Sequence, residues 1–185
     1  MEHPKKPLVA VLGGAKVSDK IEVVERFVQL ADTVLIGGAM ANTFLAYKGY
    51  NMGASKIETD QKETLDKIYE AARAKAGDNV DDFLLLPSDV AVAPSIDPTH
   101  KRTLRALSDI HPHDMALDIG DISIERFSKV ASEAGTVIWN GPLGVDELLE
   151  FSHGSARMCL ALASHPHVTS IIGGGDTADF VLKWD

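Results

Sequence analysis

Short apolar runs alternate along the chain with segments in which apolar residues recur at helical spacing. The runs are apolar at nearly every position, as is typical of strands that are covered on both faces of a parallel sheet. We therefore predict a three-layer α/β domain in which helices flank a mostly parallel β-sheet. The predicted strands are Leu8–Leu12, Thr33–Ile36, Phe83–Leu86, Val90–Ala93, Met115–Ile119, Thr136–Trp139 and Val168–Ile172.

The helical segments lie between these strands, and some carry recognisable ends. Asp60 followed by Glu63 predicts a capping box in front of one helix, and Gly77 predicts the end of that helix. Residues 94–114 contain three prolines and no sustained period, which predicts a crossing loop with room for a short strand. Apolar residues recur at helical spacing from Ile21 to Ala31 and from Leu65 to Ala72, which predicts a helix around each. Further helices are predicted at Ala39–Lys48, Ile124–Ala134 and Ser155–Ser164, and a last helix from Asp176.

The composition is that of an ordinary globular protein. The chain has 185 residues, of which 45% are hydrophobic and 24% are charged, and this predicts one well-packed domain over residues 1–185. Its apolar runs fall short of the roughly 18 residues of a membrane-spanning helix, and the first residues lack the apolar region of a signal peptide. The single cysteine, Cys159, suits a reducing compartment. We expect a cytoplasmic monomer that does not bind membranes.

Charge is unevenly distributed along the chain. The net charge of −9 argues against a nucleic-acid partner. Residues 1–105 carry 14 basic and 15 acidic side chains, whereas residues 106–185 carry 4 and 12. Lysines near the start, Lys16 and Lys20 above all, are therefore candidates to bind an anion.

Three glycine clusters each follow a predicted strand and precede a predicted helix. They are Gly13–Gly14, Gly37–Gly38 and Gly173–Gly175. The carboxyl ends of parallel strands meet at one edge of the sheet, where ligands bind in such folds. Glycine allows a ligand to approach the backbone, and free N–H groups at a helix start favour phosphate. The clusters together predict a nucleotide site, although each alone is also explained by ordinary turn chemistry.

Charged residues flank two of these clusters. Lys16 and Lys20 are expected at the opening of the first helix, where Lys20 can reach back over the turn and both can bind one polyphosphate. A solvated helix face is the alternative. Asp176 either caps the last helix or holds Mg²⁺ beside the phosphates. The motifs G-x-x-x-x-G-K-[ST] and G-x-G-x-x-G are absent, which disfavours a P-loop NTPase and a dinucleotide-dependent dehydrogenase.

Four segments together resemble the phosphoglycerate kinase family. They are Gly-Gly-Ala-Lys-Val-Ser-Asp-Lys-Ile at 13–21, Ile-Gly-Gly-Ala-Met-Ala at 36–41, Trp-Asn-Gly-Pro-Leu-Gly-Val at 139–145 and Ile-Gly-Gly-Gly-Asp-Thr at 172–177. The resemblance covers essentially the whole chain and corresponds to the C-terminal, nucleotide-binding lobe of a two-lobed enzyme. It implies a Rossmann-like domain and phosphoryl transfer between 1,3-bisphosphoglycerate and MgADP, which gives 3-phosphoglycerate and MgATP.

The resemblance also implies roles for individual residues. It places Lys16 beside the transferring phosphoryl group and Lys20 on nucleotide phosphate, which suits a reaction that depends on positioning and charge neutralisation. Asp176 would hold Mg²⁺. Lys16, Gly174 and Gly175 would be catalytic, and the further nucleotide contacts would be Gly14, Thr177 and Asn140 near the phosphates, Glu147 at the ribose, and Gly37, Gly38, Leu117, Pro142 and Val145 around the purine.

The chain departs from the family pattern at two positions and in its extent. Ala39 stands where many relatives have a third glycine, and Asp146 stands where a phenylalanine is usual, so that a charge lies beside Glu147. The N-terminal lobe that binds phosphoglycerate and a later Ser-Thr-Gly-Gly-Gly segment have no counterpart here. We therefore expect nucleotide binding with little turnover, and contact with 3-phosphoglycerate only through the missing lobe. A non-catalytic nucleotide-binding module or a truncated paralogue is the alternative.

Other chemistry-bearing side chains have plainer explanations. Cys159 lies in an apolar helical run and Trp139 ends an apolar strand, so we expect both in the core. The histidines in segments 111–113 and 165–167 lie in predicted loops without enough neighbouring ligands for a metal.

Overall fold

The computed structural model describes residues 3–184. The strands are β1 (Leu8–Leu12), β2 (Thr33–Ile36), β3 (Leu84–Leu85), β4 (Asp89–Ala93), β5 (Thr103–Ala106), β6 (Met115–Ile119), β7 (Thr136–Asn140) and β8 (Thr169–Gly173). The helices are α1 (Ile21–Leu30), α2 (Gly38–Tyr47), α3 (Lys62–Ala76), α4 (Val80–Phe83), α5 (Asp121–Ser132), α6 (His153–Ser164) and α7 (Gly175–Trp184). Across residues 3–184, none of the helices combines the length and the apolar character needed to cross a bilayer.

Five strands form a parallel sheet in the order β3-β2-β1-β7-β8. Along the central strand β1, Leu8, Ala10 and Leu12 belong to the core on the side of α1, α2 and α3. Val9 and Val11 point to the opposite side, into the core formed with α5 and α6. All five side chains are at most 3% exposed. Because helices cover both faces of a parallel sheet, the predicted three-layer α/β fold is confirmed.

Two predicted strands lie outside that sheet. β4 and β6 pair antiparallel with each other, and with β5 they form a separate sheet in the order β5-β4-β6. Both strands are buried on two faces, Val90 against Leu45 and Ala91 against Phe151. Their apolar runs therefore look like those of a central parallel strand, and burial alone does not reveal the direction of pairing. The short strand allowed for in residues 94–114 is β5.

Several predicted ends shift. The capping box is wrong, because α3 begins at Lys62 behind Gln61 without a side-chain cap, and Asp60 has a left-handed φ of 59°. The predicted stop at Gly77 is confirmed, and its φ of 59° is one that glycine readily adopts. Phe83 ends α4, which leaves β3 only two residues long.

The two predicted core residues behave differently. The Trp139 side chain is fully buried, and its indole Nε1 donates to the Gly141 carbonyl at 2.8 Å. Cys159 is only half-buried at the edge of the α5–α6 core, so it is less buried than predicted.

Candidate functional site at the carboxyl edge of the sheet

Four neighbouring strands end at one edge of the parallel sheet. Gly13–Gly14 follow β1 and Gly37–Gly38 follow β2, while β8 ends at Gly173 in front of Gly174 and β7 ends at Asn140. The prediction that the glycine clusters meet at one edge is therefore confirmed. We call this edge, together with the start of α7, the carboxyl-edge crevice.

The first two glycine turns pack directly on the turn that follows β7. Gly14 N–H donates to the Pro142 carbonyl at 3.0 Å, and Gly38 N–H donates to the Leu143 carbonyl at 3.1 Å. Gly38 has a φ of 67°, and a Cβ there would lie 2.6 Å from Gly14 N. Gly37 is also constrained, because a Cβ would approach Leu143 Cδ2 to 2.5 Å. Close packing of turn on turn thus explains these glycines, and their N–H groups already have acceptors within the protein.

The turn between β8 and α7 is built differently. Gly174, Gly175 and Asp176 are exposed, and a Cβ on Gly175 would meet no described atom within 4 Å. Packing therefore does not account for glycine at this position. The first N–H groups of a helix have no acceptor within the helix, and the helix dipole favours an anion beside them. The start of α7 is therefore open to an anion, whereas the N–H groups of the first two glycine turns donate to acceptors within the protein.

Thr177 joins the start of α7 to the turn after β7. Its side chain is buried at 1% exposure, and its Oγ1 accepts a hydrogen bond from Gly141 N–H at 2.8 Å. The hydroxyl therefore fixes α7 against β7 as well as lying beside the predicted phosphate contacts.

Lys20 reaches back across the crevice, as predicted. Its Nζ donates to the Gly13 carbonyl at 2.7 Å, to Asn140 Oδ1 at 3.0 Å and to the Asn140 carbonyl at 3.3 Å. Burial lowers the pKa of the ammonium, while the carboxylates of Asp176 and Asp19 act in the opposite direction. The three protein acceptors show that Lys20 joins the ends of β1 and β7.

The contact with Lys20 also orients the Asn140 side chain. Oδ1 faces the ammonium, and both amide atoms lie against the β8–α7 turn: a Cβ on Gly173 would be 3.3 Å from Nδ2, and a Cβ on Gly174 would be 3.2 Å from Oδ1. Within the described residues, Nδ2 donates no hydrogen bond. The Asn140 side-chain amide, held by Lys20, therefore lies against the turn that leads into the N-terminus of α7.

Lys16 lies in the irregular segment between β1 and α1. The expected placement at the opening of the first helix is confirmed for Lys20, which is the N-cap residue of α1, and is wrong for Lys16, which lies four residues earlier. The buried side chain of Val17 and hydrogen bonds from Ser18 N–H and Oγ to the Glu58 carboxylate hold this segment away from helical geometry. Lys16 itself is exposed and, within residues 3–184, makes no hydrogen bond or ion pair. Its ammonium group is available to an anion.

The residues predicted around the purine form an apolar corner beside β6. Leu117 is 5% exposed and packs with the half-buried Val145, whose N–H donates to the Leu117 carbonyl at 2.8 Å. Pro142 is half-buried and Glu147 is exposed on the same segment. Only about 10 Å³ of free space lies between Gly38 and Leu117, roughly the room for one water. A purine would therefore lie on the surface of this corner.

A groove with a volume of about 970 Å³ lies elsewhere. Its lining includes Trp139, Arg157 and Ile172 between α5, α6 and β8. None of the predicted site residues lines this groove, so the volume of a groove does not identify the predicted nucleotide site.

A buried ion pair under the apolar corner is absent from the sequence-based predictions. Arg102, whose side chain is 7% exposed, contacts Asp118 Oδ2 at 2.7 Å and donates to the Ile119 carbonyl at 2.7 Å. Burial raises the pKa of Asp118 to about 7, although Arg102 and the Gly154 N–H act to lower it. Arg102 lies in the proline-rich segment that was predicted only as a loop, and its spacing gave no signal of a distant buried partner.

Metal-binding side chains are sparse in this crevice. Across the described part of the chain, no three His, Cys, Asp or Glu side chains come together to hold an ion by themselves. Asp176 is a single exposed carboxylate at the start of α7. That arrangement fits Mg²⁺, which commonly takes one or two protein carboxylates together with substrate phosphates.

The fold and the crevice define an α/β protein with an exposed helix start at the carboxyl edge of a parallel sheet. The profile of the phosphoglycerate kinase family matches residues 1–185. The chain is 45% identical to the phosphoglycerate kinase of Akkermansia muciniphila over 188 aligned positions, which cover all of this chain and 45% of that protein. The chain therefore belongs to the phosphoglycerate kinase family.

Solved structures give the same result. The phosphoglycerate kinase of Coxiella burnetii superposes with a TM-score of 0.91 at 37% identity, over 100% of this chain and 46% of the other. That of Pyrococcus horikoshii gives 0.74 at 30% identity, over 98% and 45%. The chain thus spans about half the length of these relatives.

Proposed function

We propose that this chain is the nucleotide-binding part of a cytoplasmic phosphoglycerate kinase. It binds ADP or ATP with Mg²⁺ in the carboxyl-edge crevice while a phosphoryl group passes between the nucleotide and 3-phosphoglycerate. The observation that carries the proposal is the exposed β8–α7 turn, where packing does not require Gly175 and the Asn140 amide, held by Lys20, lies against Gly173 and Gly174.

The charges of the crevice suit phosphoryl transfer. Such a reaction needs little covalent chemistry from the protein and depends on positioning and on neutralising charge on the phosphoryl oxygens. Gly174 and Gly175 present backbone at the start of α7, and the exposed Lys16 supplies a mobile positive charge. Lys20 orients Asn140 through its three hydrogen bonds. Asp176 would hold Mg²⁺, which, when bound, supplies further charge neutralisation.

The base and ribose extend away from the phosphates. The apolar corner of Leu117, Val145 and Pro142 supplies a surface for the flat purine, and the exposed Glu147 is placed to accept a ribose hydroxyl. The parts of the relatives beyond this chain's extent would hold 3-phosphoglycerate. Because rate enhancement requires both substrates to be held together, we expect nucleotide binding without appreciable turnover.

Titration calorimetry of the chain with MgADP tests the proposal. We expect saturable binding of MgADP and no comparable binding of NADH. Lys16→Ala should weaken MgADP binding. The control Lys67→Ala, which removes an exposed lysine on α3 away from the crevice, should not. Near-normal turnover of 3-phosphoglycerate and MgATP would refute the idea that the chain lacks the acceptor half, and absence of MgADP binding would refute the proposal itself.

A further inference from the structure

The Asp146 carboxyl group is buried without a partner in the segment that carries the apolar corner. Both of its oxygens are inaccessible to solvent, and neither has a hydrogen-bond partner of acceptable geometry in the described structure. A buried carboxylate without donors is costly, so such a group tends to keep its proton. Burial raises the pKa of Asp146 to about 7; the nearby Ser155 hydroxyl lowers it, and the carboxylates of Asp118 and Glu147 raise it further.

The surroundings of the two buried carboxyl groups differ. Asp118 on β6 accepts hydrogen bonds from Arg102, from Gly154 N–H at 3.1 Å and from Ile119 N–H at 2.8 Å. Each of these groups donates a hydrogen bond to Asp118 and therefore favours the ionised form of its carboxyl. Asp146 is faced by the Ser155 hydroxyl and the Gly144 N–H, which lower its pKa, but neither of its oxygens completes a hydrogen bond. The pKa of both groups is raised to about 7, and the completed hydrogen bonds to Asp118 favour a shared proton on Asp146.

The charged groups around Asp146 come from several elements. Asp118 on β6 and Glu147 on the same segment are negative and oppose ionisation. The positive charge of Arg102 is directed to Asp118 and Asp121, and α6 contributes the uncharged Ser155 hydroxyl. Ionisation of Asp146 would thus bury a second negative charge next to Asp118 without adding a cation.

Asp146 lies directly between Val145 and Glu147, two residues proposed to contact the nucleotide. We propose that Asp146 is a positioning residue that must be protonated for this segment to hold its nucleotide-binding conformation, so that nucleotide affinity falls as the pH rises. The inference rests on the proposed function, because the proposed function assigns the apolar corner to the nucleotide.

The sign and size of the effect follow from the buried proton. A carboxyl whose pKa is higher in the folded chain than in the unfolded chain binds its proton more tightly when folded, so the unfolding free energy decreases as pH rises from about 4 to about 7. If only the protonated form binds nucleotide and the pKa is about 7, the competent fraction is about 10-fold larger at pH 6 than at pH 8. MgADP affinity should change by that factor.

The experiment measures MgADP affinity by calorimetry, and unfolding without nucleotide, from pH 6 to pH 8. Three chains are compared: the unmodified chain, Asp146→Asn and the control Asp78→Asn, an exposed aspartate in the turn after α3. ADP and Mg²⁺ also titrate in this range, so the quantity of interest is the ratio of affinities between two chains at each pH. We expect the unmodified chain and Asp78→Asn to lose about 10-fold relative to Asp146→Asn between pH 6 and pH 8.

Each outcome bears on the inference. An unfolding midpoint that falls with pH in the unmodified chain, but less in Asp146→Asn, supports the buried proton. A constant affinity ratio overturns the inference while leaving the nucleotide site intact. Absence of MgADP binding at every pH overturns the proposed function and the inference with it. If Asp146→Asn does not fold, the unmodified chain still decides, because pH-independent unfolding between pH 6 and pH 8 contradicts a proton held on Asp146.

Discussion

Removal of the Lys20 ammonium tests whether this lysine holds the protein together before any nucleotide binds. Lys20→Met keeps the apolar stem and deletes only the donor. The Gly13 carbonyl, the Asn140 carbonyl and Asn140 Oδ1 then each lose a charged partner at 2.7 to 3.3 Å. Since these acceptors belong to the ends of β1 and β7, the change should loosen the crevice from within.

The magnitude follows from the three contacts. A hydrogen bond to a charged group contributes roughly 1.5–3 kcal/mol, but the cost of burying the ammonium, which lowers its pKa, offsets part of the sum. We expect the free energy of unfolding to fall by about 2 kcal/mol, which corresponds to about 4–8 °C in Tm for a chain of this size. Urea and thermal unfolding without nucleotide measure both values.

Lys16→Ala is the matched comparison. Lys16 is exposed and has no partner within residues 3–184, so its removal should change the unfolding free energy by no more than about 0.5 kcal/mol. Its effect should instead appear in MgADP affinity. If Lys20→Met leaves the unfolding midpoint unchanged, the three hydrogen bonds do not stabilise the fold and the structural role given to Lys20 is wrong.

Three further changes probe the same edge. Thr177→Val leaves the Gly141 N–H without its acceptor and should cost about 1–3 kcal/mol of unfolding free energy, whereas Thr177→Ser, which keeps the hydroxyl, should cost much less. Arg102→Met isolates the buried Asp118 carboxylate and should cost about 3–5 kcal/mol in denaturant unfolding; no recovery in the double variant with Asp118→Asn would contradict the ion-pair explanation. Asp176→Ala should abolish the Mg²⁺ dependence of ADP binding with unchanged unfolding, and persistent dependence would reject its role as a metal ligand.

Local patterns in the sequence predicted the architecture well. The apolar runs at Leu8–Leu12 and Thr33–Ile36 identify central strands because both faces are buried, and the strands have the predicted bounds. Placement of glycine after each strand predicted one shared edge, which the parallel pairing confirms. The same logic failed for β4 and β6, since burial on two faces is equally compatible with antiparallel pairing in a second sheet.

Electrostatic partners depended on contacts distant in the chain. Lys20 and Asn140 are separated by 120 positions, and Arg102 and Asp118 lie on different elements. Such pairs leave no spacing signal, because side chains meet through strand order and crossover connections. Asp146 shows what each source of information supplies. The sequence marks it as an unusual charge, and the structure shows that its carboxyl oxygens are buried without a completed hydrogen bond.

By itself, the sequence determined the alternation of strands and helices, the shared position of the glycine clusters and the resemblance to one family, because these depend on local order along the chain. The tertiary structure decided which glycines serve turn packing and which remain open to a ligand, because that depends on what lies opposite each backbone atom. Gly38 is enclosed by the turn at Gly14, while Gly175 faces open space. The physical difference is the distance to the neighbouring turn, which the folded sheet sets.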